Sequence, residues 1–462
     1  MKLPPMAICL QNIKQFVLSG FGETRTALKW PALLAFTLLV SGCAGGGPDD
    51  GKTHLQLSTW GSAQEIAVTR ELLSEFERQH PDIAVELIHI PDNYYQKLHI
   101  LIAGDMAPDV MFTNSINFPI YALHDIFLDL NPYLDDESTE ETPETLKASH
   151  FFDGALRSFT WTDASGQPSL KALPRDISSV VVFYNADLFR ASGVDIPKPD
   201  WDWRQFTEIA QELTLDIDKD GRIDQFGLSF YTKPPLFWLP FVWSAGGDVF
   251  SPDYRHFTLD DPKALQGIQF YNSLRNYHHV APTKIESGSS SMSQFFLQEK
   301  LAMLISGRWS VPVLREQANF NWDVLPLPVG PGGYSRTGVD ASGYAIAKTS
   351  KHPKESFELV SFLVSRHALT EVTQSGLIVP ARKNVATSDV FLSPDKAPKH
   401  SRVFLDVLEF GVPTRTPPRW NEISETFMLA LEPVWDGNED TSPSQAMKAV
   451  KPEIDRMLEV SR

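Results

Sequence analysis

Only two cysteines occur in 462 residues, Cys9 and Cys43, and both lie near the amino terminus. The body of the chain therefore holds no disulfide framework, no cysteine nucleophile and no zinc–thiolate site. A G-x-S-x-G elbow and an H-E-x-x-H pair are absent too, which removes two common signatures of hydrolytic chemistry. His278 and His279 have no helical ligand partner and read as a solvated turn. No stripe of Lys and Arg offsets the net charge of -17, and with a pI near 5.2 the chain repels a phosphate backbone. No nucleic-acid partner is expected.

What is present is an ordinary globular composition, 42% hydrophobic and 21% charged. The length exceeds the roughly 250–300 residues at which one core stops growing, so two lobes are expected. Near the start, the apolar run Pro31–Cys43 has signal-peptide length, below the roughly 20 apolar residues that span a bilayer. Val40-Ser41-Gly42-Cys43 resembles the bacterial lipobox, which implies lipidation of Cys43. Residues 1–43 are read as a lipoprotein signal segment and 44–52, rich in glycine, as a flexible tether. An exported protein in the periplasm or at the cell surface, held to the membrane through its lipid, follows.

Further on, His54–Trp60 alternates like a half-buried strand and Ser62-Ala-Gln-Glu65 forms a capping box that opens a helix. Ile83–Ile90 is a second strand, Tyr94 to Gly104 a helix, and Pro108–Phe112 a short buried strand. Strand, helix, strand in this order favours a parallel sheet in an α/β fold. Later strands are expected at 180–183, 227–230, 301–305 and 343–347. Helices are expected at 203–213, at 354–363 and after the capping box Ser442–Gln445.

The order of several motifs resembles the extracellular solute-binding proteins of sugar ABC transporters, the group that includes the maltose-binding protein. They run from Leu57-Ser-Thr-Trp60 and Glu75-Phe-Glu-Arg-Gln-His-Pro81 to Ala103-Gly-Asp-Met-Ala-Pro-Asp-Val110. Phe183-Tyr-Asn-Ala-Asp-Leu-Phe189, Gly246-Gly247, Gly307-Arg-Trp309 and Trp322-Asp-Val-Leu-Pro-Leu-Pro328 then follow. The resemblance implies a two-lobed periplasmic-binding-protein fold of type II, with a ligand cleft between lobes joined by crossing hinge segments. It places 53–176 and 340–385 in an N-lobe, and 177–339 and 386–462 in a C-lobe. It also implies a substrate-binding lipoprotein, not an enzyme, that passes a mono- or oligosaccharide to an ABC permease and its ATPase.

A sugar needs flat aromatic platforms and polar groups that satisfy directional hydrogen bonds. Trp60 follows the first strand, at the edge where α/β ligands bind. Trp309 and Trp420 match positions where relatives place stacking aromatics, and Trp238 and Trp243 flank a proline-containing segment before Gly246-Gly247. The polar candidates are Asn114, Arg175, Asp176, Arg308 and Asp340, near the expected cleft and crossings. Asp216, Asp218, Asp220, Arg222 and Asp224 look like the start of an EF-hand loop, but its twelfth position is Gly227 in place of the bidentate Glu. Either a structural calcium site or an acidic turn fits; no other cofactor is expected. Two rivals share these features: a secreted glycosidase, which needs two carboxylates at a fixed separation, and a sensor protein presenting its ligand on the same fold.

Overall fold

The computed structural model describes residues 50–140, 142, 145–162, 166–414 and 416–460. Cys43, the signal segment 1–43 and most of the tether 44–52 lie outside the described residues. Twelve strands are present among them: β1 (Thr53–Thr59), β2 (Ile83–His89), β3 (Val110–Asn114), β4 (Thr160–Thr162), β5 (Pro168–Leu170), β6 (Ala172–Asn185), β7 (Phe226–Leu228), β8 (Leu301–Gly307), β9 (Trp322–Leu325), β10 (Thr337–Ile346), β11 (Val379–Pro380) and β12 (Gly411–Pro413). Thr53 opens β1 directly after Gly51-Lys52. The string Gly46–Thr53, which spells G-x-x-x-x-G-K-T, therefore runs into a strand, whereas a phosphate-binding loop runs from a strand into a helix.

The opening follows the hydrophobic period. β1 pairs in parallel with β2 and β3, and the helix Ala63–Gln79 between β1 and β2 starts at the expected capping box. Ser62 accepts from the Glu65 amide and Glu65 accepts from the Ser62 amide, satisfying two donors that a helix start leaves free. The chain's last helix, Pro443–Val460, opens in the same way, with Ser442 and Gln445 as partners.

The main sheet runs β2-β1-β3-β10-β6-β8-β7, with β9 and β11 also pairing β6 and β12 pairing β10. β6 is central. Its first part pairs antiparallel with β10 from Ala172 to Ser179, and its second part pairs with β8 and β9 from Val180 to Asn185. Sequence alternation shows only the apolar second part, because Pro174, Arg175 and Asp176 interrupt the pattern. Backbone pairing with β10 carries the strand through them. Gly343 lies at a register shift opposite Leu173 and Pro174, where an added Cβ would stand 2.3 Å from the Leu173 carbonyl oxygen. Only glycine fits this approach.

Alternation along β6 divides its side chains between two cores. Val181 and Phe183 join a cluster with Leu55, Leu57, Phe76 and Phe112, whereas Val180, Val182 and Tyr184 join one with Trp238, Trp243, Ile268 and Trp435. One strand thus ties both hydrophobic bodies together, and the loops beside it are where a cleft can form.

Candidate ligand-binding cleft

A cavity of about 560 Å³ lies where elements of the two cores meet, within the size range of small-molecule sites. From elements packed in the first core come Phe118, Pro119 and Leu123 of the helix Phe118–Leu123, then Arg157, Ser158, Thr160 and Trp161. From the second come Leu458 of the last helix and the turn residues Asp253 and Tyr254. Ser115, Val339, Pro413, Thr414, Thr416, Pro417 and Pro418 complete the wall.

β3 and β10 deliver the polar end. Their antiparallel register puts Asn114 opposite Ser342, so that Ser115 just beyond β3 meets the chain of β10. The Ser115 amide donates to the Ala341 carbonyl at 2.8 Å and the Ala341 amide to Ser115 Oγ at 3.1 Å. Ser115 Oγ also donates to Asp340 Oδ1 at 3.4 Å, and Thr414 is the carboxylate's other hydroxyl partner. No cation among the described residues forms an ion pair with Asp340. Burial pushes its carboxyl up to about 6, against the pull of the Thr414 and Ser115 hydroxyls. Asn114 Oδ1 accepts from the Asn117 amide and side chain at 3.0 Å each, and Asn421 Nδ2 donates to Asn117 Oδ1 at 3.4 Å. Thr416 Oγ1 donates to the Ser115 carbonyl. Asn114, Asp340 and the start of the helix Trp420–Trp435 are thereby brought together beside the cavity.

None of the ten sequence-derived ligand residues forms the cavity wall itself. Asn114 and Asp340 are each next to a wall residue, Ser115 and Val339, and Trp420 is two positions from Pro418. Trp420 is only 6% exposed and its ring packs near Phe250 and Phe427. Trp238 is fully buried, and Trp243 is buried with Nε1 donating to Asp248 at 3.1 Å. Trp60 packs on Phe112, Tyr94 and Tyr95, its ring centroid 4.3 Å from that of Phe112.

Arg175 also sits over Phe112, with Nε on Asp176 Oδ2 at 2.7 Å and Nη2 on Glu65 Oε1 at 3.7 Å. Desolvation pushes the Asp176 carboxyl up while Arg175 draws it back down. Both belong to an internal ion cluster beneath the first helix. Arg308 donates to the carbonyls of Gly376 and Phe391 and to Ser401 Oγ, and lies over Phe391 and Phe404. Trp309 beside it is 38% exposed, its ring lying so close to Gly307 that a Cβ there would be 2.1 Å away.

Sequence reasoning missed Phe118, Trp161 and Tyr254. Trp161 offers a faint signal as an aromatic between two threonines in a short strand. Tyr254 offers a better one, a bulky residue in a Ser-Pro-Asp-Tyr turn, and it adopts φ +56, a left-handed conformation unusual for an aromatic.

In the acidic loop, carboxylate oxygens of Asp216, Asp218 and Asp224 lie within 4.8 Å of one another. Asp216 Oδ1 is buried with no hydrogen-bond partner, so these three could offer oxygens to a hard cation. The other contacts are those of a self-closed turn: amides of Ile217 and Asp218 donate to Asp224, Gly221 to Asp216, Asp220 to Asp218, and Arg222 to Asp220. The twelfth position, Gly227, lies in β7, where a Cβ would meet the Ala210 carbonyl oxygen at 2.0 Å. No larger residue fits there, so the loop lacks the closing ligand of an EF-hand.

A two-lobed α/β chain with a cavity between cores is the architecture of a solute-binding protein, and this chain belongs to the bacterial extracellular solute-binding protein family, whose model matches residues 60–368. It is 24% identical to the galactooligosaccharide-binding protein of Bacillus subtilis over 85% of this chain and 87% of that one. An uncharacterized lipoprotein of Streptomyces antibioticus is 26% identical over 76% of this chain and 75% of its own length. In fold, the chain is similar to an ABC substrate-binding protein of Listeria monocytogenes in complex with cycloalternan. That match has a TM-score of 0.76 at 24% identity and covers 88% of this chain and 99% of the other. Among the described residues, no helix is long and apolar enough to cross a membrane.

Proposed function

We propose that this protein is the substrate-binding lipoprotein of an ABC importer, that it captures a carbohydrate in the cavity between its lobes, and that it hands the carbohydrate to a membrane permease powered by a separate ATPase. Residues 53–176 and 340–385 form one lobe, and 177–339 and 386–462 the other. Closure about β6 and β10 shields the ligand from water and changes the surface offered to the permease. The lipid on Cys43 holds the protein at the membrane.

The observation that carries this reading is the cavity itself, of small-molecule size, with Trp161 and Tyr254 in its wall and the Asn114–Asn117–Asp340 cluster beside its polar end. Family membership supports binding and not turnover, and the names of the relatives support a carbohydrate. A glycosidase needs a matched carboxylate pair. Asp253 is the one carboxylate of the wall among the described residues, and Ser251 and Arg255 already engage it.

Thermal shift against a panel of sugars, followed by analysis of each hit, tests the proposal. A ligand bound only by the folded state raises Tm by mass action. A stabilising sugar recovered unchanged is the expected result. Consumption of the sugar would move the assignment to an enzyme, and stabilisation by non-carbohydrate solutes alone would overturn it. The anchor is tested separately: Cys43→Ala is expected to release the protein from the membrane fraction.

A further inference from the structure

We infer that the ligand is an amphipathic glycoside, its sugar held at the Asn114–Asp340–Asn421 end and its aryl or alkyl group held in the apolar part of the cavity, among Phe118, Leu123, Trp161, Tyr254 and Leu458. This rests on the carbohydrate reading above and narrows it.

The wall's chemistry is the first reason. A ring of sugar hydroxyls is best met by planar amides and carboxylates that pair with two groups at once. Among the described residues the wall contains no Asn, Gln or Glu. Its polar atoms come mainly from single hydroxyls: Ser115, Ser158, Thr160, Thr414 and Thr416. Between them stand four prolines, two leucines and three aromatic rings. Among the described residues the wall's planar polar groups are Arg157 and Asp253, the latter engaged by Ser251 and Arg255, and four more, Asn114, Asn117, Asp340 and Asn421, gather beyond Ser115 and Thr414. A site divided in this way matches a ligand with two ends of different polarity.

Exposure is the second reason. Leu123 is 43% and Tyr254 39% exposed, and both stand in this wall. Large apolar side chains left to water side by side with a cavity mark a surface that is covered when occupied. Tyr254 adds a third reason. Its φ of +56 is one that glycine adopts freely and a tyrosine does not, and the turn keeps it there through the Tyr254 amide on Ser251. A strained aromatic at the edge of a cavity is what a binding role maintains and a purely structural turn would replace.

The test uses the full chain and matched pairs of probes, the methyl and 4-nitrophenyl glycosides of glucose, galactose, mannose and maltose, measured by titration calorimetry. The expected result is at least tenfold tighter binding of a nitrophenyl glycoside than of its methyl partner. Leu123→Glu is expected to lower the nitrophenyl affinity by a larger factor than the methyl affinity, so that the difference within each pair shrinks. Trp161→Ala is expected to lower the nitrophenyl affinity likewise, and because Leu123 is exposed, Leu123→Glu keeps the test available if the tryptophan variant does not fold. Tyr254→Gly is expected to raise Tm and lower nitrophenyl affinity together. Equal affinities within each pair would overturn the inference and leave the carbohydrate reading standing, whereas binding of 4-nitrophenol alone as tight as that of its glycosides would overturn both. Failure of every glycoside and of the parent sugars to bind would overturn both.

Discussion

Arg308, buried, and Asp340, partly buried, are both charges without an ion-pair partner among the described residues, yet they are held in opposite ways. Arg308 is enclosed by fixed acceptors, two backbone carbonyls and Ser401, with aromatic rings over its plane. Burial lowers its pKa, but the closed set of acceptors compensates the charge. Asp340 is met by the hydroxyls of Ser115 and Thr414, and these side chains are themselves cavity wall. A hydroxyl can rotate to donate elsewhere, whereas a backbone carbonyl cannot leave. The first arrangement is a cross-link between β8 and the 376–401 region. The second leaves acceptor capacity for an arriving ligand.

The sharpest way to break this contrast is to remove Arg308. Arg308→Ala strands two buried carbonyls and opens a void between Phe391 and Phe404, so a loss of about 3–5 kcal/mol in unfolding free energy is expected in denaturant titration. Lysine should not rescue it, since one ammonium cannot span acceptors that a planar fork reaches. Trp420→Ala should behave alike, costing about 3–5 kcal/mol of stability because the ring is core, packed on Phe250 and Phe427. If Trp420→Ala left stability intact and removed only affinity, Trp420 would belong to the site and not to the scaffold.

Asp340→Asn is expected to act in the other sense. It removes an ionised group that burial disfavours, so the ligand-free protein should gain about 1–3 kcal/mol at pH 8, while affinity for the ligand falls roughly tenfold or more. A smaller effect sharpens the same point. With a folded value near 6 and an ordinary value of 3.8, the native carboxyl keeps a proton between about pH 4 and 6 that the unfolded chain has released. This group's contribution therefore makes stability fall as pH rises through that window and level off above it. The difference between wild type and Asp340→Asn in pH-dependent unfolding isolates the term. A constant difference from pH 4 to 8 would refute the assignment.

Much of the fold was legible in the residues. Alternation in His54–Trp60, the Ser62–Glu65 capping box and the apolar run Ile83–Ile90 specify the opening unit through local periodicity. The motif order pointed to the two-lobed family from single residue strings. The acidic loop was readable down to its missing glutamate, because such loops are built from neighbours in sequence. Asn114, expected just after the strand Pro108–Phe112, and Asp340, expected at a crossing, lie next to the wall residues Ser115 and Val339.

What the sequence could not decide is which large side chains are core and which are wall. Trp238 and Trp420 look like platforms as a string and are buried in the structure, because burial depends on partners such as Trp435, Phe250 and Phe427 brought in from distant segments. Trp161 and Tyr254, unremarkable in sequence, line the cavity because a strand hairpin and a left-handed turn hold them in one wall with Pro413, Pro417 and Pro418, more than 150 residues away in the chain. Local period and capping are set by residues within one turn or one strand and can be read directly. Placement at a cleft is set by long-range packing, and only the assembled sheet with β6 and β10 at its centre determines it.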